Sequence, residues 1–394
     1  MNNRINTLGD YPFDRLRALL ETVEPPRNIE TIALSVGEPQ HKPPPLLPQI
    51  VAREYETWAK YPPMKGTKVV RNAIAEWLVR RYGLPQAMIN PETMLVPVSG
   101  TREALFLMAL AAVPTIDNGA KPIVLMPNPF YQVYLGAAIM AGAEPVLVPA
   151  DRGSGFLPNY GGLSKDILAR TALAYYCSPA NPQGTIASAE TMEQLVILAR
   201  EYNFLLVSDE CYSELYYEEA PTGAAEACAR IDGSLKNVVV MNSLSKRSSA
   251  PGLRSGFVAG DPEIIGNFVR LRDYGGAPPP LPLLSAAAAL WSDEKHVVEN
   301  RALYATKFQI ADELLKEQYQ YYRPQGGFYL WLYVGDGEKA AKMLWSKAGI
   351  RVIPGEYLAR EIDGQHPGAG YIRVALVHDE ATTYEALTRL SKVL

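Results

Sequence analysis

The chain has 394 residues, enough for one large domain with a smaller companion. Apolar residues make up 48% and charged residues 20%, and 38 Lys+Arg against 42 Asp+Glu leave a net charge of −4, so nothing favours nucleic acid or an anionic membrane as partner. The N-terminus lacks a signal-peptide core, the longest apolar run (104–113) is far below the ~20 residues of a membrane span, and Cys177, Cys211 and Cys228 form no C-x-x-C pair, so the expected compartment is the cytoplasm.

In chain order, seven short apolar segments read as strands: 93–98, 123–126, 145–149, 172–177, 204–208, 238–242 and 256–259. Most are continuous apolar runs, the mark of a strand buried on both faces. Helical patterns at 103–113, 131–141 and 189–202 separate several of them, the first preceded by the capping residues Ser99 and Thr101. This alternation predicts an α/β fold with a mostly parallel sheet of seven strands, whose ligands bind beyond the carboxyl ends of the strands. After residue 281 the pattern changes. Ser292, followed by Asp293 and Glu294, reads as a cap with an acidic first turn. Val297, Tyr304, Phe308, Ala311 and Leu315 then recur at helical steps and predict one long amphipathic helix. Strands at 328–334, 350–353 and 371–377, with helices at 338–347 and 379–394, form a smaller α+β unit. The expected division is a large domain over 46–290 and a small one from 1–45 and 291–394, with Pro-rich crossings at 43–48 and 278–282.

The chemistry gathers at strand ends. S-L-S-K, Ser243 to Lys246, follows the strand 238–242, and Arg254 lies eight residues on. A lysine whose amine is partly deprotonated forms an imine with an aldehyde, and Ser243, Ser245 and the Arg254 guanidinium suit a phosphate ester beside it. Asp209 ends another apolar strand in L-L-V-S-D-E-C-Y; a carboxylate there is costly unless paired, and beside a pyridine nitrogen it keeps that nitrogen protonated. Tyr212, three residues later, and the amide of Asn181 in S-P-A-N-P-Q-G are donors for a phenolic ring oxygen. S-G-T-R, Ser99 to Arg102, offers hydroxyls and free N–H groups at a helix N-terminus, a phosphate cradle. Singly, each of these is an ordinary turn or cap. The histidines His41, His296, His366 and His378 lack metal-ligand spacing, and no metal is expected.

Together, S-G-T, N-P-x-G, D-x-x-Y, S-x-S-K and R, in this order over nearly the whole chain, resemble the class I/II aminotransferases of pyridoxal-phosphate fold type I. That resemblance implies pyridoxal 5'-phosphate as cofactor. It implies Lys246 as the Schiff-base lysine and proton carrier, Asp209 as partner of the ring nitrogen, and Tyr212 and Asn181 as donors to the ring hydroxyl. Ser99, Gly100, Thr101, Arg102, Ser243, Ser245 and Arg254 match the phosphate cradle. Tyr131, in P-N-P-F-Y, matches the ring-stacking aromatic, with Phe130 as competitor. Arg373, in Y-I-R-V-A, matches the clamp on the substrate α-carboxylate, and Gly37, in L-S-V-G-E-P, the N–H donor to the same group. Tyr61, in K-Y-P-P-M-K-G, matches the tyrosine that reaches the partner subunit's phosphate, which implies a homodimer with shared sites. The aromatics of G-G-F-Y-L-W, Gly326 to Trp331, read mainly as packing. Arg270 and Arg272 lie near the family's cross-subunit arginine, and neither is assigned.

Y-P-F-D-R-L-R-A-L-L, L-S-V-G-E-P-Q-H, S-G-T-R-E-A-L-F and Y-G-G-A-P-P-P look more narrowly like the bacterial N-succinyldiaminopimelate aminotransferases. This implies glutamate as donor and N-succinyl-2-amino-6-oxopimelate as acceptor, in lysine and diaminopimelate synthesis. Another amino-acid aminotransferase, of aspartate, alanine or aromatic type, or a carbon–sulfur lyase with the same cofactor, is the alternative.

Overall fold

The computed structural model describes residues 2–115, 119–316 and 318–394. The first short strand, β1 (Ile32–Ala33), precedes a seven-stranded sheet built from β2 (Leu95–Val98), β3 (Ile123–Asn128), β4 (Glu144–Pro149), β5 (Thr171–Cys177), β6 (Leu205–Asp209), β7 (Val238–Ser243) and β8 (Gly256–Gly260). Their order is β2-β8-β7-β6-β5-β3-β4; β3 to β7 pair in parallel, and β8 is antiparallel to both of its neighbours. The expected α/β sheet is therefore present, with all seven strands within a residue or two of the expected bounds.

Side-chain alternation explains the continuous apolar runs. Val238 and Val240 of β7 enter the core on one face with Trp77, Phe257 and Trp291, whereas Val239 and Met241 enter the opposite core with Leu105, Tyr134 and Phe268. Ile123 and Leu125 of β3 and Leu206 of β6 face the first core; Val124, Met126 and Val207 face the second. A strand covered by helices on both sides needs an apolar residue at every position. Two of the covering helices, Lys68–Tyr82 and Leu281–Ser292, pack on one another and carry no pattern the sequence reading recognised.

The C-terminal region holds β9 (Tyr329–Tyr333), β10 (Ile350–Arg351), β11 (Ile353–Pro354) and β12 (Tyr371–Ala375). The antiparallel order is β11-β12-β9. The expected strand at 350–353 is split: β10 leaves to pair in parallel with β1, which brings the N-terminal segment onto this unit. The long helix is Lys295–Leu315, and Val297, Tyr304, Phe308, Ala311 and Leu315 are all fully buried. Its start corrects one expectation. Ser292 is the last residue of the preceding helix, because the Ala-rich run 286–289 continues the helix through it. Glu294 stands at the cap position of the next one without a side-chain bond, and the Asp293 carboxylate just before it accepts from the His296 N–H at 3.2 Å. Among the described residues, no helix is long and apolar enough to cross a membrane.

Candidate active site

The buried strand β7 runs into a four-residue helix, Leu244–Arg247. Ser243 caps it, its Oγ accepting from the Ser245 N–H at 3.1 Å. This turn places Lys246 at the carboxyl end of the sheet, its Nζ donating to the Gly37 carbonyl. Burial lowers the amine from 10.5 to about 8; the Arg373 and Arg102 charges push the same way, against Cys211 and Glu38. About a tenth is therefore the free base at pH 7, far more than for an ordinary lysine.

Asp209 ends the neighbouring strand β6 and is 6% exposed. Tyr134 donates to its Oδ2 at 2.6 Å, and the Cys211 N–H to its Oδ1 at 3.3 Å. Burial pushes the carboxyl above its ordinary value while these donors hold it down. No Lys or Arg of the described residues forms an ion pair with it. A carboxylate buried without a cation calls for one, and a protonated ring nitrogen meets that need.

Lys246 and Asp209 line one cavity of about 510 Å³. The same wall carries Gly37, Thr101, Arg102, Tyr131, Asn181, Tyr212, Ser243, Ser245, Arg254 and Arg373. The fold thus gathers these expected residues from seven separate stretches of chain. Ser99, Gly100 and Tyr61 are not on the wall. Ser99 gives its hydroxyl to the Ala277 carbonyl at 2.6 Å, and its own carbonyl accepts from Arg254 Nη2 at 3.2 Å, so it supports the arginine instead of facing the cavity. Gly100 has φ +94°, and a Cβ there would lie 2.3 Å from Arg254 Nη2; glycine is what lets the guanidinium pass. Tyr61 is 99% exposed.

At one end of the cavity, helix Thr101–Ala112 starts without a side-chain cap, so its first N–H groups remain open to another acceptor. Thr101, Ser243, Ser245 and Arg254 stand on the wall, and Arg254 has only carbonyl partners, Pro251 and Ser99. These donors fit a phosphate dianion. The amine of Lys246 and the carboxylate of Asp209 belong to the same cavity, so the residues present fit pyridoxal phosphate at its aldehyde, its ring nitrogen and its phosphate.

Arg373 lies in the centre of β12 and is 5% exposed. Its Nη1 donates to Asn181 Oδ1 at 3.2 Å and its Nη2 to the Ser35 carbonyl at 2.8 Å, while Nε has no partner. The guanidinium sits 4.3 Å over the Tyr329 ring. A buried cation served only by neutral acceptors has charge left for a carboxylate from outside. Because Asn181 points its oxygen at Arg373, its amide nitrogen stays available to the cavity.

Two wall residues escaped the sequence reading. Tyr329 of β9, taken as packing, brings its hydroxyl to 3.2 Å from that of Tyr212; a Cβ at Gly37 would lie 1.8 Å from the same oxygen. Tyr134 holds Asp209 and stacks on Tyr175 at 4.5 Å; its signal was its place one helical turn after Tyr131. Both Phe130 and Tyr131 reach the wall, but Phe130 is 3% exposed within the core, whereas Tyr131 is half-buried and accepts from Arg102 Nε at 2.8 Å. Arg270 is exposed and Arg272 fully buried, with Nη1 3.0 Å from the Pro97 carbonyl; neither lines the cavity. Tyr11, Pro12 and Phe13, at the start of helix Pro12–Leu20, also line it.

The family model described as aminotransferase class I and II matches residues 29–390. The chain belongs to this family. An aminotransferase from Neisseria meningitidis is 38% identical with a TM-score of 0.94, covering 100% of this chain and 99% of that one. Aminotransferase AspB from Helicobacter pylori is 34% identical with a TM-score of 0.88, covering 98% of each chain. Among curated proteins, the LL-diaminopimelate aminotransferase of Desulforudis audaxviator is 28% identical over 396 residues, 98% of this chain and 96% of its own. The 4-dedimethylamino-4-oxo-anhydrotetracycline transaminase OxyQ of Streptomyces rimosus is 29% identical over 364 residues, 91% of this chain and 93% of its own. The enzyme is a fold type I aminotransferase, its cofactor is pyridoxal 5'-phosphate, and its substrates are an amino acid and an oxo acid.

Proposed function

We propose that this aminotransferase moves the amino group of glutamate to N-succinyl-2-amino-6-oxopimelate, as a cytoplasmic homodimer. The observation that carries the carboxylate half of this reading is Arg373, a buried guanidinium with an unpartnered Nε on the cavity wall. The pimelate half rests on the four segments quoted above and on full-length relatives named LL-diaminopimelate aminotransferase. Those names also support a second reading, in which the acceptor carries the same pimelate skeleton without the succinyl group. The homodimer is supported by the aromatics Tyr55, Trp58, Tyr61 and Tyr274, each more than half exposed.

When bound, the cofactor supplies an electron sink that acidifies the substrate Cα–H. The chain's own residues do the rest. Arg373 orients the α-carboxylate, with the Gly37 N–H beside it. With the cofactor bound, the Lys246 amine would serve as the base that takes the Cα proton and as the acid that delivers it to the cofactor's aldehyde carbon, across the nitrogen between the two. Asp209, held by Tyr134, keeps the ring nitrogen protonated. Tyr212 and Asn181 would donate to the ring hydroxyl, and Tyr131 would hold the ring by its face. Arg254, Ser243, Ser245, Thr101 and the helix N-terminus fix the phosphate, so that the reacting carbon meets Lys246 in one geometry.

The test is to add L-glutamate to the purified enzyme and follow the cofactor from its visible aldehyde-form absorbance to the near-ultraviolet amine form. Each pimelate acceptor is then offered to the amine form. Return of the visible band with the succinylated acceptor and not with its unsuccinylated counterpart supports the proposal. The reverse pattern favours the second reading, and pyruvate release from cysteine conjugates would mark a lyase. For Arg373→Lys, loss of the planar fork at a buried site should cost about 2–5 kcal/mol in kcat/KM for glutamate, roughly 30- to 4,000-fold. The slow reaction with an alkylamine that lacks a carboxylate should stay unchanged; an equal loss there would remove Arg373 from carboxylate binding.

A further inference from the structure

We infer that Asn300 is a positioning residue for Lys246, clamping the main chain of the lysine loop and tying it to the segment that carries Gly37. Asn300 belongs to the long helix Lys295–Leu315, is 6% exposed and does not line the cavity. Its Nδ2 donates to the carbonyls of Lys246 at 3.1 Å and Arg247 at 3.3 Å. Both carbonyls end a four-residue helix, where no later helical turn supplies an N–H for them to accept. A helix that short does not hold itself together, so the backbone that aims the Lys246 amine is held from outside.

The other side of the same amide is equally engaged. With Nδ2 facing two carbonyls, Oδ1 must be an acceptor on the opposite side. It accepts from Ser249 Oγ at 2.8 Å and faces His41 Nδ1 at 3.0 Å. Ser249 has φ +47°, a strained conformation for a residue with a Cβ, and there its hydroxyl meets Asn300. Because Oδ1 can only accept, His41 donates from Nδ1 and presents a lone pair at Nε2. Lys307 Nζ, one helical heptad beyond Asn300 and 1% exposed, fills that place at 2.6 Å and also donates to the Leu376 carbonyl at 3.1 Å.

The charged and titratable groups facing this pair are few. The Tyr304 ring lies 4.5 Å from Lys307 Nζ and 4.7 Å from the His41 ring, and Asp379 acts on both by its charge. Burial lowers both Lys307, to about 7, and His41. A doubly protonated imidazole would have no lone pair at Nε2 for Lys307 Nζ, 2.6 Å away, so the neutral ring with its Nδ1–H on Asn300 is the form that fits.

The consequence is a bracket around the catalytic lysine. His41 ends the segment L-S-V-G-E-P-Q-H, and the Gln40 N–H of that segment is fixed to the Val377 carbonyl at 3.1 Å. Four residues before His41, the Gly37 carbonyl accepts from the Lys246 amine itself. One end of the segment therefore meets the lysine's amine, and the other end, through His41 and Asn300, holds its carbonyl.

Asn300→Asp tests this with an isostere. It keeps the Oδ1 acceptor for Ser249 and His41 but turns an oxygen toward the two carbonyls; Asn300→Ala removes both functions. For either variant, kcat of the glutamate half-reaction should fall roughly 10- to 100-fold, with KM within about 3-fold of wild type. A second readout uses the cofactor-free protein: the pH dependence of pyridoxal phosphate capture by Lys246. Released from its bracket, the amine gains water, and the capture midpoint should rise from about 8 toward that of free lysine. Capture does not involve the donor, so it judges Asn300 even if glutamate proves the wrong amine. An unchanged midpoint with unchanged kcat overturns the inference. So does a lower thermal midpoint with an unshifted capture profile, because that marks a merely structural role.

Discussion

Lys246→Ala is expected to lose the visible absorbance of the covalently held cofactor and to reduce kcat by roughly 10²–10⁴-fold, the range that a positioned general acid–base group contributes. The geometry makes no other candidate available among the described residues of the wall, because the one other amine singled out by burial, Lys307, is spent on His41 and the Leu376 carbonyl outside the cavity. An added small primary amine should restore part of the rate by occupying the space left by the side chain. The pH dependence has a definite sign. A lysine depressed to about 8 is protonated below that pH, so capture of pyridoxal phosphate by the cofactor-free wild type should rise about tenfold per unit up to pH 8 and then level. A rate that keeps climbing beyond pH 10 would show an ordinary lysine and would contradict the site as described. Retained turnover and retained visible absorbance in Lys246→Ala would dispose of the whole assignment.

Asp209→Asn should capture the cofactor and yet lose roughly 10²–10³-fold in kcat, the cost of removing a preorganised charge from a buried site. Asn preserves the volume and leaves an acceptor for Tyr134, so packing and the stack of Tyr134 on Tyr175 remain. What disappears is the negative charge proposed to keep the ring nitrogen protonated, and with it the proposed sink for the electrons of the Cα–H bond. The buried carboxylate has no lysine or arginine to pair with among the described residues, so its charge has a use only when a cation arrives. Stopped-flow spectra of the glutamate half-reaction separate the two steps. Normal capture followed by a slow half-reaction is the expected result, while wild-type rates would contradict the electron-sink role.

Much of this site was legible before any coordinates. Asp209, Ser243 and Lys246 each stand where an apolar run stops and polar residues begin, and in a parallel sheet those places converge on one edge. The residues that were misjudged share a different property. Tyr329 sits in a strand whose next residue, Leu330, enters the small unit's core, and alternation shows that the two face opposite ways. It does not show that the other side is a cavity wall. Ser99 looked like Thr101 because both are hydroxyls at a helix start; only the packing of Ala277 turned it away. Ser292 carried a cap's signature but lay within a helix already under way.

The amino-acid sequence by itself determined the elements and their faces, because periods of two and of 3.6 residues are local properties that burial enforces at every position. It also determined the order of the cofactor motifs, each written within a few neighbouring residues. The tertiary structure alone decided which long-range partners complete them: Tyr134 on Asp209, Gly37 on Lys246, Asn181 on Arg373, and Asn300 on the carbonyl of Lys246. Such contacts join residues separated by 54 to 209 positions. A hydrogen bond is satisfied within about 3 Å in space whatever the separation along the chain, so no local pattern records it.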